Sequence, residues 1–438
     1  MPLSRRCLLA AAGVTLVGGC NEADQPSREE TVTPAEVPLS GDAALAAAAD
    51  VEVPEIPSAT VVSDEHRANL AAGAERLVEA AEEASESADG VDVSDVRSSL
   101  RNPENPVERA PVETIRETRS GREYRRAISR LEDAGTVLGY VRAETGALDV
   151  ESVREASRRE REKFDALQDR FSYRFRGPVD RFLPTITSAE SAIEGAGTDL
   201  TRAEREAAGL DSVPEAELSS EIASAWSRIE QSRLSRTNAA GFVRTAVDPS
   251  TPLRDDAVND VIGTQVNELR SLELPPDEEA SAVQVPERIR TVTSTVRSRR
   301  SELLRGADPG DPTNPSRGEL LFGSLRVRSE IEAFGAAADL TFELQERETF
   351  PGRRLPAEKR EAVGRLETLA GAAPLPRRLG ELAKDMVTFG DRLQSTGGSN
   401  PVATAFFMYV AAQEYVDIAF TRAETLATAL EAPDDTGE

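Results

Sequence analysis

The chain has 438 residues, with 78 acidic side chains against 52 basic ones, a single histidine and a formal net charge of −26. That balance excludes duplex nucleic acid and anionic lipid headgroups as general partners, because affinity for phosphates comes from lysine and arginine neutralising them. The length suffices for two or three domains, and two cysteines exclude a disulfide framework.

The chain opens with "SRRCLLAAAGVTLVGGC", residues 4–20. Its apolar run, from Leu8 to Gly18, is about eleven residues long, whereas a helix needs roughly 20 to cross a bilayer. A basic start, a short apolar middle and small residues before a cut describe an export signal, not a folded element. Gly13, Gly18 and Gly19 each weaken a helix, and the stretch has no polar face. Ser4, Arg5, Arg6, Cys7, Leu8 and Leu9 resemble the twin-arginine export motif, with Leu8 where Phe is commoner and Ala10 where Lys is common. Val17, Gly18, Gly19 and Cys20 resemble a lipobox, with Val17 in the place usually held by Leu. The resemblance covers residues 1–20 alone. It implies that residues 1–19 are a signal peptide read by the twin-arginine export machinery. It further implies that Cys20 becomes the lipidated N-terminus, anchoring the protein on the outer face of the cytoplasmic membrane. Cys7 leaves with the signal, so the mature monomer holds no disulfide. One acyl chain anchors only reversibly, and the two-chain lipid that the resemblance implies supplies stable attachment.

All but three of the basic residues are arginine; the lysines are Lys163, Lys359 and Lys384. This acidic, arginine-over-lysine surface resembles that of proteins from extreme halophiles, where molar salt shortens the Debye length to about 3 Å and screens self-repulsion. With 4% aromatics and three methionines, the core has to be built from Leu, Val, Ile and Ala.

Residues 20–60 spread Pro26, Pro34, Pro38, Pro54 and Pro57 through acids and small side chains. Such a composition buries too little apolar area to offset chain entropy. The expectation is an acidic, lipid-anchored tether with a reach of roughly 35 Å, interrupted by one marginal helix near residues 43–49.

After Ser63 and Asp64, which read as a cap, apolar residues settle into helical spacing. Tyr124, Ile128, Leu131, Gly135 and Leu138 form one stripe; Phe164, Leu167 and Phe171 form another, expected to run to the stop at Gly177 and Pro178. Phe182, Ile186, Ala189, Ile193, Ala196, Leu200, Ala203 and Ala207 continue in steps of three and four. Val258, Ile262, Gln265, Leu269 and Leu272 follow, and then Leu375, Leu379, Leu382, Met386, Phe389 and Leu393. "TVTSTV" (291–296) is β-branched, yet Val285, Ile289, Val292, Val296 and Leu303 keep helical spacing, which makes it helix. Breaks at 101–106, 247–252, 274–279, 306–318, 351–356 and 395–401 separate the elements. The prediction is an all-α fold of about ten or eleven helices in antiparallel bundles. One bundle spans 61–250, a second 251–431, and an acidic tail occupies 432–438.

Few residues carry recognisable chemistry. One histidine excludes a two-histidine zinc motif and a ferritin-like di-iron site. His66 follows Asp64 and Glu65, where a solvated first-turn side chain is the expected outcome. Carboxylate pairs such as Glu82 with Glu86, or Glu278 with Glu279, read as solvated faces. Asp308, Asp311, Asn314 and Glu319 miss the spacing of an EF-hand loop. No catalytic residue, metal site or cofactor is expected. The strongest anomaly is "AFFMYVAAQEYVDIAF" (405–420), with five of the scarce aromatics. It reads as the central helix of a bundle, with Tyr409, Glu414 and Tyr415 as the candidate ligand or partner surface. The functional expectation is an exported, lipid-anchored cell-surface protein that binds or scaffolds in the envelope through an unidentified partner. The alternative is an extracytoplasmic hydrolase using a carboxylate pair or a bound cation.

Overall fold

Every residue of the stripe from Phe182 to Ala207 is buried, and the stripe forms the inner side of a helix spanning Val179–Gly209. The computed structural model describes residues 41–87, 91, 96, 100–272, 287–307, 316–346, 354–392 and 401–431. Among them lie fourteen α-helices. In chain order, α1 to α7 are Gly41–Ala49, Asp64–Ser87, Ala110–Glu117, Gly121–Arg130, Glu132–Glu144, Val150–Gln168 and Val179–Gly209. Next come α8 to α14: Glu215–Ala246, Asp255–Ser271, Glu287–Gly306, Arg317–Glu346, Arg354–Gly371, Pro374–Arg392 and Pro401–Glu431. No strand is named among the described residues, so the all-α class predicted from periodicity is the one observed. The count exceeds ten or eleven because some boundaries carry no proline or glycine. Leu131 alone separates α4 from α5.

Helices α7 and α8 form the most extensively packed pair. A short 3-10 turn at Leu210–Ser212 joins them, and their antiparallel register is marked by Ser232 Oγ donating to the Ala196 carbonyl at 3.0 Å. Small side chains on this seam let the axes approach closely. The same requirement appears where α5 crosses α8: a Cβ on Gly139 would stand 2.9 Å from Ala223 Cα, so glycine permits the contact.

Two large apolar cores result. The first is built on α2, α4, α5, α7 and α8 and also takes Val258, Ile262, Leu321, Leu325, Leu375, Leu426 and Leu430. The second joins α1 to α11, α12, α13 and α14. Helix α14 is buried on all sides over residues 405–412, matching the reading of that segment as a central helix.

Three boundaries differ from the sequence expectation. Residues 43–60 do not behave as a tether: Ala44, Leu45 and Ala48 are buried in the second core, and Val53 and Ile56 pack against it. Alanines on one helical face allow α1 to dock closely on α12, gaining burial that the proline-rich composition did not suggest. Helix α6 stops at Gln168 rather than running to Gly177. The segment that follows, "FSYRF" (171–175), alternates its aromatics with period two, and Phe175 makes an isolated bridge to Val247. Finally, the turn at 248–252 is tied down by Asp248 N–H to the Arg174 carbonyl at 3.1 Å and Arg254 N–H to the Tyr173 carbonyl at 2.9 Å. The first core draws on both sides of that turn, so the described residues do not separate there into two bundles.

Candidate functional site

An open cleft of about 1060 Å³ runs between the two cores, above the length of α11. Its size matches or exceeds that of pockets holding drug-sized solutes. Helix α4 turns Tyr124, Ala127 and Ile128 inward, which leaves Arg122 and Arg125, three residues apart, on one face toward the cleft. Helix α7 adds Ser188 and Ser191, α13 adds Arg378, and α14 adds Tyr415.

Several of the charges that line the cleft are paired with one another. Glu330 has a side chain only 1% exposed and accepts from Arg299 at 2.9 Å and Arg326 at 3.0 Å; its Oε2 has no hydrogen-bond partner. Tyr415, buried beside it, has its hydroxyl pKa raised above the ordinary value by burial and by the Glu330 charge. Arg378 donates to Glu381 at 2.8 Å and lies 5.6 Å over the Phe322 ring. The α4 arginines differ. Arg125 donates to Ser191 Oγ at 2.8 Å, and neither it nor Arg122 makes an ion pair among the described residues. Burial, followed by the nearby charge of Arg378, holds the Arg125 pKa below its ordinary value.

The three residues proposed on α14 are not brought together. Tyr415 lines the cleft. Tyr409, six residues earlier, donates to Asp391 Oδ1 at 2.7 Å inside the second core, while Glu414 stands exposed. Arg5, Arg6 and Cys20 lie outside the described residues, as do Glu278, Glu279, Asp308, Asp311 and Asn314. Glu319 lines the cleft. Glu82 hydrogen-bonds to Arg109, which lowers its pKa, instead of facing Glu86.

His66 is a correction: it is 1% exposed, not solvated. Its Nε2 pairs with Asn238 Oδ1 at 3.0 Å, and the ring packs edge-on to Phe242 at 4.5 Å. Gly241 has no side chain, and a Cβ there would collide with the imidazole. Burial lowers the His66 pKa from 6.5 to about 4. The first turn of α2 is a poor guide here, because the helix docks this end on α8.

Two buried polar clusters have no counterpart in the sequence reading. Glu190 accepts from Tyr173 at 2.9 Å and from the Gly318 N–H at 2.6 Å, with Arg317 lying 4.6 Å over the Tyr173 ring. One turn on, burial and the Glu190 charge raise the Glu194 pKa to about 7. Elsewhere, Lys359 is 1% exposed and its Nζ lies 2.9 Å from Asp391. A signal for it existed: Leu355, Lys359, Ala362 and Leu366 share helical spacing, which puts the lysine on the buried stripe of α12. Among the described residues, no group of three or more His, Cys, Asp or Glu side chains converges as a metal site would require.

With the geometry established, comparison with known proteins adds one match. Residues 42–255 match the family model described as a domain of unknown function, DUF8262. No curated protein and no solved structure matches the chain. The matched region starts inside α1 and stops at the beginning of α9, so it takes in most of the first core together with a helix that packs on the second. Expressed alone, residues 42–255 would lose the partners of Ala44, Leu45 and Ala48 on α12 and α14, and the share of the first core supplied by Leu321, Leu325, Leu375 and Leu426. Each such leucine is worth about 2 kcal/mol when fully buried. That fragment is expected to bind a hydrophobic dye and to melt without a cooperative transition, whereas the full chain melts cooperatively; calorimetry of the two checks this.

Proposed function

We propose that this protein is exported, anchored by a lipid on Cys20 to the outer face of the cytoplasmic membrane, and uses its helical body to bind a ligand or partner in the cell envelope. The observation that carries the binding half is the open cleft between the cores, whose lining includes Arg122 and Arg125, neither of which makes an ion pair among the described residues. Anchoring is supported by the twin-arginine-like Arg5 and Arg6 and the lipobox-like Val17-Gly18-Gly19-Cys20. It is consistent with the finding that no helix among the described residues is long and apolar enough to cross a membrane.

The hydrolase alternative has less support. Catalysis by paired acids needs two carboxyls converging on an open site; Glu190 is held by Tyr173 and the Gly318 N–H, and one oxygen of Glu330 by Arg299 and Arg326. Mass spectrometry of detergent-phase material is expected to find a lipid-modified fragment beginning at Cys20. The Cys20→Ser variant should leave that fraction for the aqueous phase. Recovery of the unmodified chain from its initiator methionine would overturn the anchoring half.

A further inference from the structure

We infer that the α4 end of the cleft is an oxyanion site, taking the phosphate or carboxylate groups of a small, multiply acidic solute on Arg122, Arg125 and Arg378. The inference rests on the reading of the cleft as a binding surface and names the chemistry of its ligand.

Of the cleft arginines, Arg299 and Arg326 share Glu330 and Arg378 pairs with Glu381. Arg122 and Arg125 have no such partner, although they stand on the same face of α4, and Arg378 approaches from α13. Like charges at this spacing on a helix destabilise it, and the mutual field of these groups is felt at Arg125. Three guanidiniums, two from α4 and one from α13, line the same cavity. A bound oxyanion relieves the repulsion.

The donor set is suited to the task. Guanidinium groups bind carboxylate and phosphate through paired N–H donors. Ser191 Oγ already fixes Arg125 at 2.8 Å, so the Arg125 side chain is ordered before a ligand arrives. Phe322 beneath Arg378 at 5.6 Å holds that guanidinium in the same way from another helix. Ser188, on α7, lines the same stretch of wall. The cavity is far larger than a single phosphate, which leaves room for a solute bearing two or more acidic groups. Nearby Glu319 and Glu381 set a limit on charge density, favouring a small anion over an extended polyanion.

The test is isothermal titration calorimetry of the full chain in detergent, with inorganic phosphate and with citrate as probes and chloride as the background salt. Both probes are expected to bind, citrate more tightly, and binding should weaken as potassium chloride is raised. Arg122→Gln and Arg125→Gln should each weaken citrate binding roughly tenfold to a hundredfold, the loss of one charge-assisted contact. Their thermal midpoints without ligand should stay at or above that of the wild type, since like-charge repulsion is removed. Arg126→Gln deletes the same charge from an exposed position of α4 that does not line the cleft and should leave binding unchanged. Equal weakening by Arg126→Gln would overturn the inference, as would absence of binding by either probe in the wild type. A neutral solute such as trehalose binding where citrate does not would also overturn it, while leaving the cleft a binding site. The Cys20 experiment stands apart from all these outcomes, so failure here and failure of the anchoring reading remain distinguishable.

Discussion

Replacing Asp391 by asparagine is expected to lower the unfolding free energy by about 3 kcal/mol, the low end for stranding a buried charge. Lys359 is 1% exposed, and its Nζ sits 2.9 Å from the Asp391 carboxylate. The same oxygen accepts from Tyr409 at 2.7 Å, so one carboxylate joins α12, α13 and α14. An amide keeps the shape and an acceptor but removes the charge, leaving the ammonium ion buried without compensation. The reverse substitution, Lys359→Met, should cost much less, because Asp391 retains 24% exposure and can be rehydrated. Removing all three polar groups together, as Lys359→Met, Asp391→Leu and Tyr409→Phe, should recover most of the loss, since apolar replacement of a buried ion pair is often neutral. Denaturant titration of the four proteins checks the order. Equal losses for Asp391→Asn and Lys359→Met would show that the buried ammonium is not the costlier of the two charges to strand. The position beside the carboxylate is equally constrained: a Cβ on Gly390 would stand 2.6 Å from the Tyr409 ring.

The fold class was legible because it rests on a property repeated along the chain. Steps of three and four from Tyr124 to Leu138 and from Phe182 to Ala207 place those residues inside, and all of them are buried. The same spacing decided 291–296, where β-branched residues favour a strand but lie within α10. What escaped was set by contacts distant in sequence. His66 and Asn238 are 172 residues apart, so nothing in "SDEHRANL" shows that the ring faces a partner. Residues 43–60 have the composition of a coil, and only the second core, assembled from residues beyond 269, gives α1 a surface to dock on. The alternation of Phe171, Tyr173 and Phe175 was a readable period-two signal, masked by the longer helical stripes on either side.

The cleft was less legible than the cores for a physical reason. A core is announced by apolar residues, whereas this cavity is walled by arginines, serines and glutamates that look like any solvated helix face. On α14 the scarce aromatics pointed to the right element but not to a site. Tyr409 and Tyr415, six residues apart, point into different surroundings, one at Asp391 and one at the cleft. On α4, what separates Arg122 and Arg125 from the many exposed arginines of the chain is the approach of α7 and α13, which the sequence does not reveal.

Acidification is expected to remove about 3 kcal/mol of stability through His66 alone, mostly between pH 6.5 and pH 4. In the unfolded chain the imidazole takes its proton near 6.5; in the folded one burial delays this to about 4. Between those values the unfolded state binds more protons, so stability falls as pH falls, and below about 4 both states are protonated and the effect is complete. The charged ring would lie edge-on to Phe242, with Nδ1 lacking a hydrogen-bond partner and Arg244 adding repulsion. Other groups act in the opposite direction. Glu194, raised to about 7, and Asp199, Glu206 and Glu230, all raised by burial, take up protons in the folded state first and so stabilise it on acidification. The wild-type curve therefore mixes the two, and the diagnostic quantity is the difference from His66→Gln, whose amide can still donate to Asn238 but cannot titrate. Above pH 7 that difference should be constant. Between 6.5 and 4 it should move by about 3 kcal/mol in favour of the variant, a shift readable by denaturant unfolding at several pH values. A difference that stays flat down to pH 4 would mean that the imidazole takes its proton as readily in the folded chain as in the unfolded one.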